Sequence, residues 1–343
     1  MKTLVIVESP AKAKTIGKYL GDDYVVLPTI GHIRELPKKD AIDPNNNYEM
    51  TYIISPGKED AIKKITASAK TCDEIVLATD PDREGEAIAW HVADILETKH
   101  QKKIKGKSIK RAIFYEISKE AVEKAVQSPG EIAMDMVLSQ ETRRALDRHF
   151  GFTLSPLLWR LFPSNNHSAG RVQSPALRLI VEREKEIEAF QPQEYWSIDA
   201  EINKGSSFQV KLASFEGEAV KKFTFSTNAI VESVSNKLES GCIDGMEATS
   251  ITKTSRTQNP KSPFRTSVLQ QQASNKFGFT PKRTMQIAQS LYARDGGGLI
   301  TYIRTDSIEI DKGKLPSIYK KISSLYGENY LEKRNFKNKK EAK

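Results

Sequence analysis

A phenol, a guanidinium, two hydroxyls and a carboxylate lie within six consecutive residues late in the chain. The run consists of Tyr302, Ile303, Arg304, Thr305, Asp306 and Ser307. A tyrosine that attacks a phosphodiester needs a nearby cation to offset charge on the phosphoryl oxygens, and a group that handles the proton. Tyr302 and Arg304 can supply the nucleophile and the cation, so the run indicates phosphoryl chemistry. A core aromatic beside a solvated arginine is the alternative, and other motifs must decide between the two.

An acidic cluster follows directly after a predicted strand. The apolar run at 74–78 leads into Thr79-Asp80-Pro81-Asp82-Arg83-Glu84-Gly85-Glu86, after which a helix is predicted. Ligands of open α/β sheets bind at the carboxyl ends of the strands. Carboxylates this close raise one another's pKa unless a cation neutralises them, so Asp80, Asp82 and Glu84 predict a Mg²⁺ site. A helix N-terminus that attracts acids through its dipole is the alternative.

The first predicted strand also ends in a carboxylate. The run at 4–7 leads to Glu8, and Ser9 and Pro10 suit the N-cap and the first position of a helix. This strand-to-helix turn is predicted to place Glu8 at the same sheet edge as the other acids. Lys12, one turn into the helix, is then able to face a phosphate.

The composition restricts the class of protein. The 343 residues carry 53 Lys plus Arg against 44 Asp plus Glu, a net charge of +9 that favours polyanionic partners. The sequence has no run of about 18 apolar residues, so a membrane-spanning protein is not expected. Cys72 and Cys242 lie far apart without metal-ligand spacing, which argues against a zinc ribbon or a disulfide framework. A cytoplasmic protein is expected.

The pattern of elements indicates a multidomain α/β protein. Apolar runs at 4–7, 24–27, 74–78 and 112–114 are predicted strands separated by helices, which implies a mostly parallel sheet. The pattern is helical from 131 to 190 and from 266 to 292, and it alternates between 195 and 251, which predicts an antiparallel segment. Residues 295–298 predict a flexible turn, and 333–343 a basic, disordered tail.

Five motifs in order resemble the bacterial type IA DNA topoisomerases, in the topoisomerase I branch. They are the segments at 5–16, 31–37, 80–86, 168–174 and 300–307. The resemblance implies a Toprim domain with a Rossmann-like parallel sheet at 1–128, followed by a helical domain that binds single-stranded DNA at 129–190. It further implies a partial β-rich arch at 191–258 and a partial, helix-turn-helix-like catalytic domain at 259–332.

The resemblance also implies a reaction. Tyr302 attacks one DNA strand and leaves a 5′-phosphotyrosine and a free 3′-hydroxyl, a second strand passes, and the break is rejoined. Such an isomerase relaxes negatively supercoiled DNA without ATP, because the phosphotyrosine conserves the energy of the bond. Glu8 is implied as the proton carrier at the leaving 3′-oxygen, and Lys12 and Arg304 as the groups that hold the scissile phosphate. The implied Mg²⁺ ligands are Asp80, Asp82 and Glu84, with Glu8.

Further residues are implied to contact DNA. His32 and Arg111 resemble phosphate-positioning or supporting residues. The seat for single-stranded DNA is implied to consist of Arg143, Arg144, Asp147 and, as a stacking platform, Phe152. An amphipathic helix with solvated arginines is the alternative for that set. Gly170, Arg171 and Gln173 belong to a motif before a predicted helix, whose N-terminus is able to take a phosphate.

The sequence departs from the family pattern at its end. The expected Glu-Ala-His-Glu-Ala-Ile-Arg-Pro motif, with a catalytic histidine, is absent from the 343 residues, so we expect a C-terminally truncated chain. Relaxation by a monomer acting on single-stranded and negatively supercoiled DNA is the expected function. A catalytically impaired fragment that binds single-stranded DNA is the alternative. A Toprim primase or nuclease would lack the motifs around 168–174 and 302–307, and the opening at 9–12 favours topoisomerase I over topoisomerase III.

Overall fold

The computed structural model describes residues 2–39, 41–46, 48–104, 106–163, 167–242, 245–294, 296–334 and 336–337. The chain forms two compact units, Met1–Arg171 with Pro260–Lys343 (unit 1) and Val172–Asn259 (unit 2). Residue 295 of the predicted turn, and residues 335 and 338–343 of the predicted tail, lie outside the described residues. Within the part that the structure describes, no helix has the length and apolar character needed to cross a membrane.

The secondary structure is mixed. The strands are β1 (Thr3–Val7), β2 (Tyr24–Pro28), β3 (Arg34–Glu35), β4 (Ile42–Asp43), β5 (Glu49–Met50), β6 (Ile53–Ile54), β7 (Glu74–Leu77), β8 (Ser108–Arg111), β9 (Asp199–Lys204), β10 (Ser206–Lys211), β11 (Ser214–Phe215) and β12 (Glu218–Ala219). The helices are α1 (Pro10–Leu20), α2 (Glu59–Thr71), α3 (Arg83–Ile104), α4 (Lys119–Gln127), α5 (Met134–Leu161), α6 (Gln173–Ala189), α7 (Asn228–Gly241), α8 (Thr266–Phe277), α9 (Pro281–Tyr292) and α10 (Leu315–Tyr326), with a short 3₁₀ turn at Glu328–Tyr330.

A four-stranded parallel sheet organises unit 1. Its strand order is β2-β1-β7-β8, and every neighbouring pair is parallel, which confirms the predicted Rossmann-like sheet. The predicted fourth strand at 112–114 is wrong, because β8 pairs through the more polar residues Ser108–Arg111 just before it. Ala112 and Phe114 are instead buried in the core without forming a strand, so their apolar character reflects packing.

Both faces of the sheet are covered, as expected for a parallel sheet. Alternate residues of β1 point to opposite sides, so Leu4 and Ile6 join one core layer while Val5 and Val7 join the other. The first layer includes residues of α2 and α3, and the second includes residues of α1 and α4. Tyr302 also belongs to the second layer. The late segment with the tyrosine therefore packs onto the early sheet.

Backbone contacts hold the tyrosine segment against the loop that follows β8. Tyr302 N donates to Tyr115 O at 2.7 Å, and Gly298 N donates to Ile117 O at 3.0 Å. Gly297 adopts φ 121°, which is a left-handed conformation that a side chain would strain. The glycines therefore allow the chain leaving α9 to turn back toward the sheet.

Unit 2 contains α6, α7 and two antiparallel strand pairs, β9–β10 and β11–β12. The predicted antiparallel segment is confirmed for the strand through Phe208. Residues 223–225 form no strand, and Phe225 is buried instead. Helix α7 interrupts the segment, which the alternating pattern on either side of it did not reveal.

Lys107 is expected to stabilise unit 1 by capping the end of α2. Its Nζ donates to Ala69 O and Lys70 O at 2.8 Å each, and also to Cys72 O. A cation at a helix C-terminus satisfies carbonyls and favours the dipole, so Lys107→Met should lower the free energy of unfolding by about 1–2 kcal/mol. Urea unfolding followed by circular dichroism checks this. The exposed Lys64→Met on the same helix is the control, and an equal loss there would contradict the capping role.

Candidate active site

The ends of the two central strands bring Glu8 and Asp80 together. Glu8 follows β1, and its Oε1 accepts a hydrogen bond from Asp80 N, which follows β7, at 2.7 Å. Ser9 caps α1 by accepting from Lys12 N at 3.3 Å, with Pro10 at the first helical position. The predicted turn from strand to helix therefore forms, and it sets Glu8 at the edge of the sheet beside the other acids.

Lys12 provides the positive charge between these carboxylates. Only 2% of Lys12 is exposed, and its Nζ donates to Glu8 Oε2 at 2.9 Å and to Asp80 Oδ1. Burial and the charge of Glu8 raise the pKa of Asp80 to about 7, although Lys12 acts in the opposite direction. Lys12 therefore offsets only part of the effect that burial and the Glu8 charge have on the pKa of Asp80.

Gly85 allows the segment at 79–86 (the acidic loop) to fold tightly at the start of α3. Its N–H donates to Asp82 Oδ1 at 2.9 Å, and its carbonyl accepts from Thr79 Oγ1 at 2.6 Å. A Cβ at this position would lie 2.2 Å from Asp80 O, a distance at which the backbone must move. A glycine is therefore required for this loop, and the loop sets the direction of the Asp80 and Asp82 side chains.

Tyr302 meets the acidic loop, some 220 residues away in sequence. Its hydroxyl donates to Asp82 Oδ2, and Arg304 Nη1 donates to the same oxygen at 3.1 Å. Only 7% of Tyr302 is exposed, whereas Arg304 is largely exposed. Burial, followed by the hydrogen bond to Asp82, raises the pKa of the Tyr302 phenol well above its usual range. The structure therefore holds a protonated, shielded phenol.

A second tyrosine, which no sequence motif indicated, lies beside Tyr302 and the acidic loop. Tyr292 is fully buried at the end of α9, and its hydroxyl donates to Asp80 Oδ1 at 3.4 Å. Its ring meets the ring of Tyr302 edge to face, with centroids 5.3 Å apart and planes at 70°. Lys12 Nζ lies 5.3 Å from the centroid of the Tyr292 ring. No spacing rule connects Tyr292 to these groups, because only the return of the chain after α9 brings them together.

Glu84 forms a separate contact group with His32. His32 Nε2 lies 3.4 Å from Glu84 Oε2, and Gln140 Nε2 donates to the same oxygen at 3.2 Å. The hydrogen bond from His32, together with that from Gln140, lowers the pKa of Glu84 to about 2 against the effect of burial. Gln140 belongs to α5 and is buried, so it links the acidic loop to that helix. Its role was missed because a buried glutamine inside a long helix has no sequence signature.

The predicted metal site has the right ligand chemistry but not a complete ligand group. Among the described residues, no group of three or more His, Cys, Asp or Glu side chains is arranged to hold a metal ion. The hard oxygens of Asp80 and Asp82 nevertheless lie on one short loop, and burial, with the charge of Glu8, raises the pKa of Asp80. Mg²⁺ commonly binds through one or two carboxylates, completed by waters and substrate phosphates. Two aspartates and a DNA phosphate therefore fit this ion.

Arg111 lies inside the protein, and not at a surface where DNA could contact it. It is 1% exposed, and its Nε donates to Glu86 Oε2 at 2.8 Å. Its other donors meet Leu77 O, Ala112 O and, at 2.8 Å, Asp80 O. Of the two roles that the resemblance implied for Arg111, direct phosphate contact conflicts with this burial. The geometry favours the supporting role, because Arg111 anchors the backbone of the acidic loop.

The residues predicted to seat single-stranded DNA lie mainly along α5. Arg171 donates to Asp147 at 2.7 and 3.2 Å, and Arg143 Nε lies 3.8 Å from the same carboxylate. Arg144, on the same helix, has a buried Nη1 without a hydrogen-bond partner among the described atoms. Gly170 lies in the loop before residue 171, and Gln173 begins α6 in unit 2. Their contacts with DNA stay predictions.

Phe152 has the exposure that a stacking platform needs. It is 65% exposed, and Arg148 Cζ lies 4.6 Å from its ring centroid. Arg148 and Phe152 also line a cavity of about 790 Å³ between α5 and the segment at 38–50. Arg148 was missed in the sequence, although its position four residues before Phe152 on one helix face was a usable signal.

The comparisons with known proteins agree with this geometry. Residues 131–343 match the family model described as DNA topoisomerase, and residues 3–117 match the Toprim domain model. The chain belongs to the DNA topoisomerase family. Its parallel sheet and acidic loop lie in the part that matches the Toprim model, and Tyr302 lies in the part that matches the topoisomerase model.

Named relatives are similar over nearly the whole chain. DNA topoisomerase 1 of Xylella fastidiosa is 48% identical over 338 residues, which are 96% of this chain and 41% of the relative. DNA topoisomerase 1 of Rickettsia felis is 45% identical, covering 96% of this chain and 43% of the relative. Full-length topoisomerase I from Thermotoga maritima superposes with a TM-score of 0.78 at 36% identity, over 96% of this chain and 54% of that one. The chain therefore spans about two fifths of the length of these curated relatives.

Proposed function

We propose that this chain carries the strand-cleaving site of a type IA topoisomerase, which relaxes negatively supercoiled DNA through a 5′-phosphotyrosine on Tyr302. The observation that carries the proposal is the contact of the Tyr302 phenol and the Arg304 guanidinium with one oxygen of Asp82. A nucleophile, a cation and a carboxylate thus lie at the edge of the sheet where α/β proteins bind ligands.

Each of these residues has a separate role in the transesterification. A bond forms between the Tyr302 oxygen and phosphorus while the bond from phosphorus to the 3′-oxygen breaks. The phenolic proton leaves in the direction of Asp82, which already accepts it in a hydrogen bond. The exposed Arg304 contacts the phosphoryl oxygens, whereas Lys12, which is 2% exposed, supplies its positive charge from within the site. Glu8, once it has taken a proton from solvent, delivers that proton to the leaving 3′-oxygen. The phosphotyrosine conserves the bond energy, so rejoining requires no ATP.

Mg²⁺ fits beside this machinery. We propose Asp80 and Asp82 as its protein ligands, with Glu8 and Glu84 as the neighbouring acids that the family resemblance adds. When bound, the ion supplies positive charge to the phosphate and to the crowded carboxylates. The two aspartates lie on one short loop, and Asp82 contacts both Tyr302 and Arg304, so this pair adjoins the proposed nucleophile.

Burial of the nucleophile supports a gate that opens. The Tyr302 segment packs in the same core layer as α1 and α4, so the structure represents a closed arrangement of unit 1. Separation of this segment from the acidic loop would expose the phenol and, after cleavage, carry the 5′ end away from the 3′ end. Passage of a second strand through that gap is the step that changes linking number.

The charge distribution supports DNA as the partner. Residues 260–294 contain six Lys or Arg and no Asp or Glu. Arg283 stacks on Phe279 at 4.3 Å there, and on α5 Arg148 stacks on the exposed Phe152. Cationic surfaces with aromatic faces bind single strands with little sequence preference. A monomer acting on DNA in the cytoplasm, associated with the nucleoid, is consistent with this proposal.

The decisive experiment is capture of a covalent complex. The chain is incubated with a single-stranded oligonucleotide that carries an internal label 3′ of the cleavage position, with Mg²⁺ or with EDTA, and is then denatured. We expect the label to migrate with the protein in Mg²⁺ only, because the tyrosine retains the 5′ phosphate. Label on a free fragment that ends in a 5′ phosphate, with none on the protein, would instead indicate a nuclease.

One observation favours a second candidate function. Tyr302 is shielded, and the pKa of its phenol is raised, so as placed it is a poor nucleophile. A chain unable to open would bind single-stranded DNA without cleaving it. In the same experiment that chain would shift the oligonucleotide on a native gel and yield no labelled protein after denaturation.

A further inference from the structure

Tyr292 contacts three members of the proposed site but has no place in the reaction described above. It belongs to α9, on the same segment as Tyr302, whereas Lys12 lies on α1 and Asp80 in the loop that follows β7. All of its surface is buried. It therefore bridges the two parts of unit 1 that carry the halves of the site.

Its ring and its hydroxyl make different contacts. The ring lies 5.3 Å from Lys12 Nζ and meets the Tyr302 ring edge to face at 5.3 Å. The hydroxyl reaches Asp80 Oδ1 only at 3.4 Å, a long hydrogen bond. An aromatic face attracts an ammonium most strongly where water is excluded, and Lys12 is 2% exposed. The ring is thus the part of Tyr292 with the stronger interactions.

Two features keep Tyr292 in this position. Its backbone carbonyl closely approaches Gly298, where an added Cβ would lie 2.6 Å from Tyr292 O. The Leu299 amide donates to Leu291 O at 2.9 Å, so the chain folds back directly onto the end of α9. The phenol that is ten residues before the nucleophile is therefore locked to it through the backbone as well as through the rings.

We propose that Tyr292 is a positioning residue, whose aromatic face fixes the Lys12 ammonium and the Tyr302 ring relative to each other. The proposal rests on the proposed function for its meaning in catalysis, although its structural part is testable without it. Without the ring, Lys12 loses one wall of its pocket, and the nucleophile loses the surface that sets its orientation. Without the hydroxyl alone, both contacts remain.

The test compares ring removal with hydroxyl removal. Tyr292→Leu should lower the initial rate of covalent-complex formation by about tenfold, in the range of a desolvated cation–π contact, with oligonucleotide affinity unchanged. Tyr292→Phe should keep the rate within about threefold, which is a rescue by the ring alone. Phe114→Leu is the matched control, because Phe114 is a buried aromatic of the same core layer. If the Leu variant does not fold, Tyr292→Met replaces it.

A second readout does not depend on DNA cleavage. Brief acetylation followed by mass spectrometry measures the reactivity of Lys12, with the exposed Lys64 as internal reference. Reactivity of Lys12 should rise in Tyr292→Leu and stay low in Tyr292→Phe and Phe114→Leu. Unchanged reactivity in Tyr292→Leu, or an equal rise in Phe114→Leu, would overturn the positioning role. So would a covalent complex mapped to the peptide with Tyr292.

The two readouts separate the two proposals. A wild-type chain that forms no covalent complex contradicts the proposed function, and Lys12 reactivity then decides the role of Tyr292 alone. A wild-type chain that forms the complex, with both Tyr292 variants equally active, leaves the function standing and refutes the positioning role.

Discussion

Tyr302→Phe is expected to abolish the covalent complex with single-stranded DNA while DNA binding persists. The substitution removes only the attacking oxygen, and the ring that packs against Tyr292 at 5.3 Å remains. Loss of a covalent nucleophile should reduce complex formation by more than about a hundredfold. Denaturing gels with the internally labelled oligonucleotide measure the complex, and fluorescence anisotropy measures the affinity, which we expect to change by less than about twofold.

Tyr326→Phe is the matched control for this experiment. Tyr326 is also a tyrosine of unit 1, but it is exposed at the end of α10, so its loss should leave the yield of the complex unchanged. A complex of normal yield in Tyr302→Phe would mean that another residue is the nucleophile. Peptide mapping of that complex would then identify it.

Arg111→Leu is expected to cause the largest loss of stability. The side chains of Arg111 and Glu86 are 0% and 1% exposed, and they pair at 2.8 Å. Removal of one partner leaves a buried, uncompensated charge, which typically costs about 3–5 kcal/mol. The acidic loop also loses its anchor at Asp80 O. Urea unfolding at neutral pH measures the free energy of unfolding.

The double variant Arg111→Leu with Glu86→Gln tests the physical cause. Arg111→Leu leaves the Glu86 charge without a partner, and Glu86→Gln removes that charge. The double variant should therefore recover roughly 1–3 kcal/mol of the lost free energy of unfolding. Glu86 Oε1 also accepts from Ala133 N at 2.7 Å, and an amide keeps that contact. If Arg111→Leu instead keeps its stability and binds oligonucleotide more weakly, Arg111 contacts DNA directly.

The local motifs of this chain were readable because each reflects short-range physics. Ser9 and Pro10 start α1 as predicted, since an N-cap and a first-turn proline act within a few residues. The acids after β7 lie at the carboxyl edge of a parallel sheet, as strand alternation with helices implied. The error at 112–114 has the same origin, because apolar character reports burial and does not distinguish a strand from a buried loop.

The sequence alone was enough to predict the residue types of the site, the parallel sheet and the family. It also indicated that Tyr302 and Arg304 act together. Their placement depended on long-range packing. Tyr292 contacts Lys12, and Asp82 accepts a hydrogen bond from Tyr302, because the chain after α9 folds back onto a sheet formed some 200 residues earlier. Arg111 is likewise buried in the folded protein. Contacts between segments so far apart follow from how the core layers fill, and no local spacing encodes them. Folding thus turns two separate motifs into one site with a buried nucleophile.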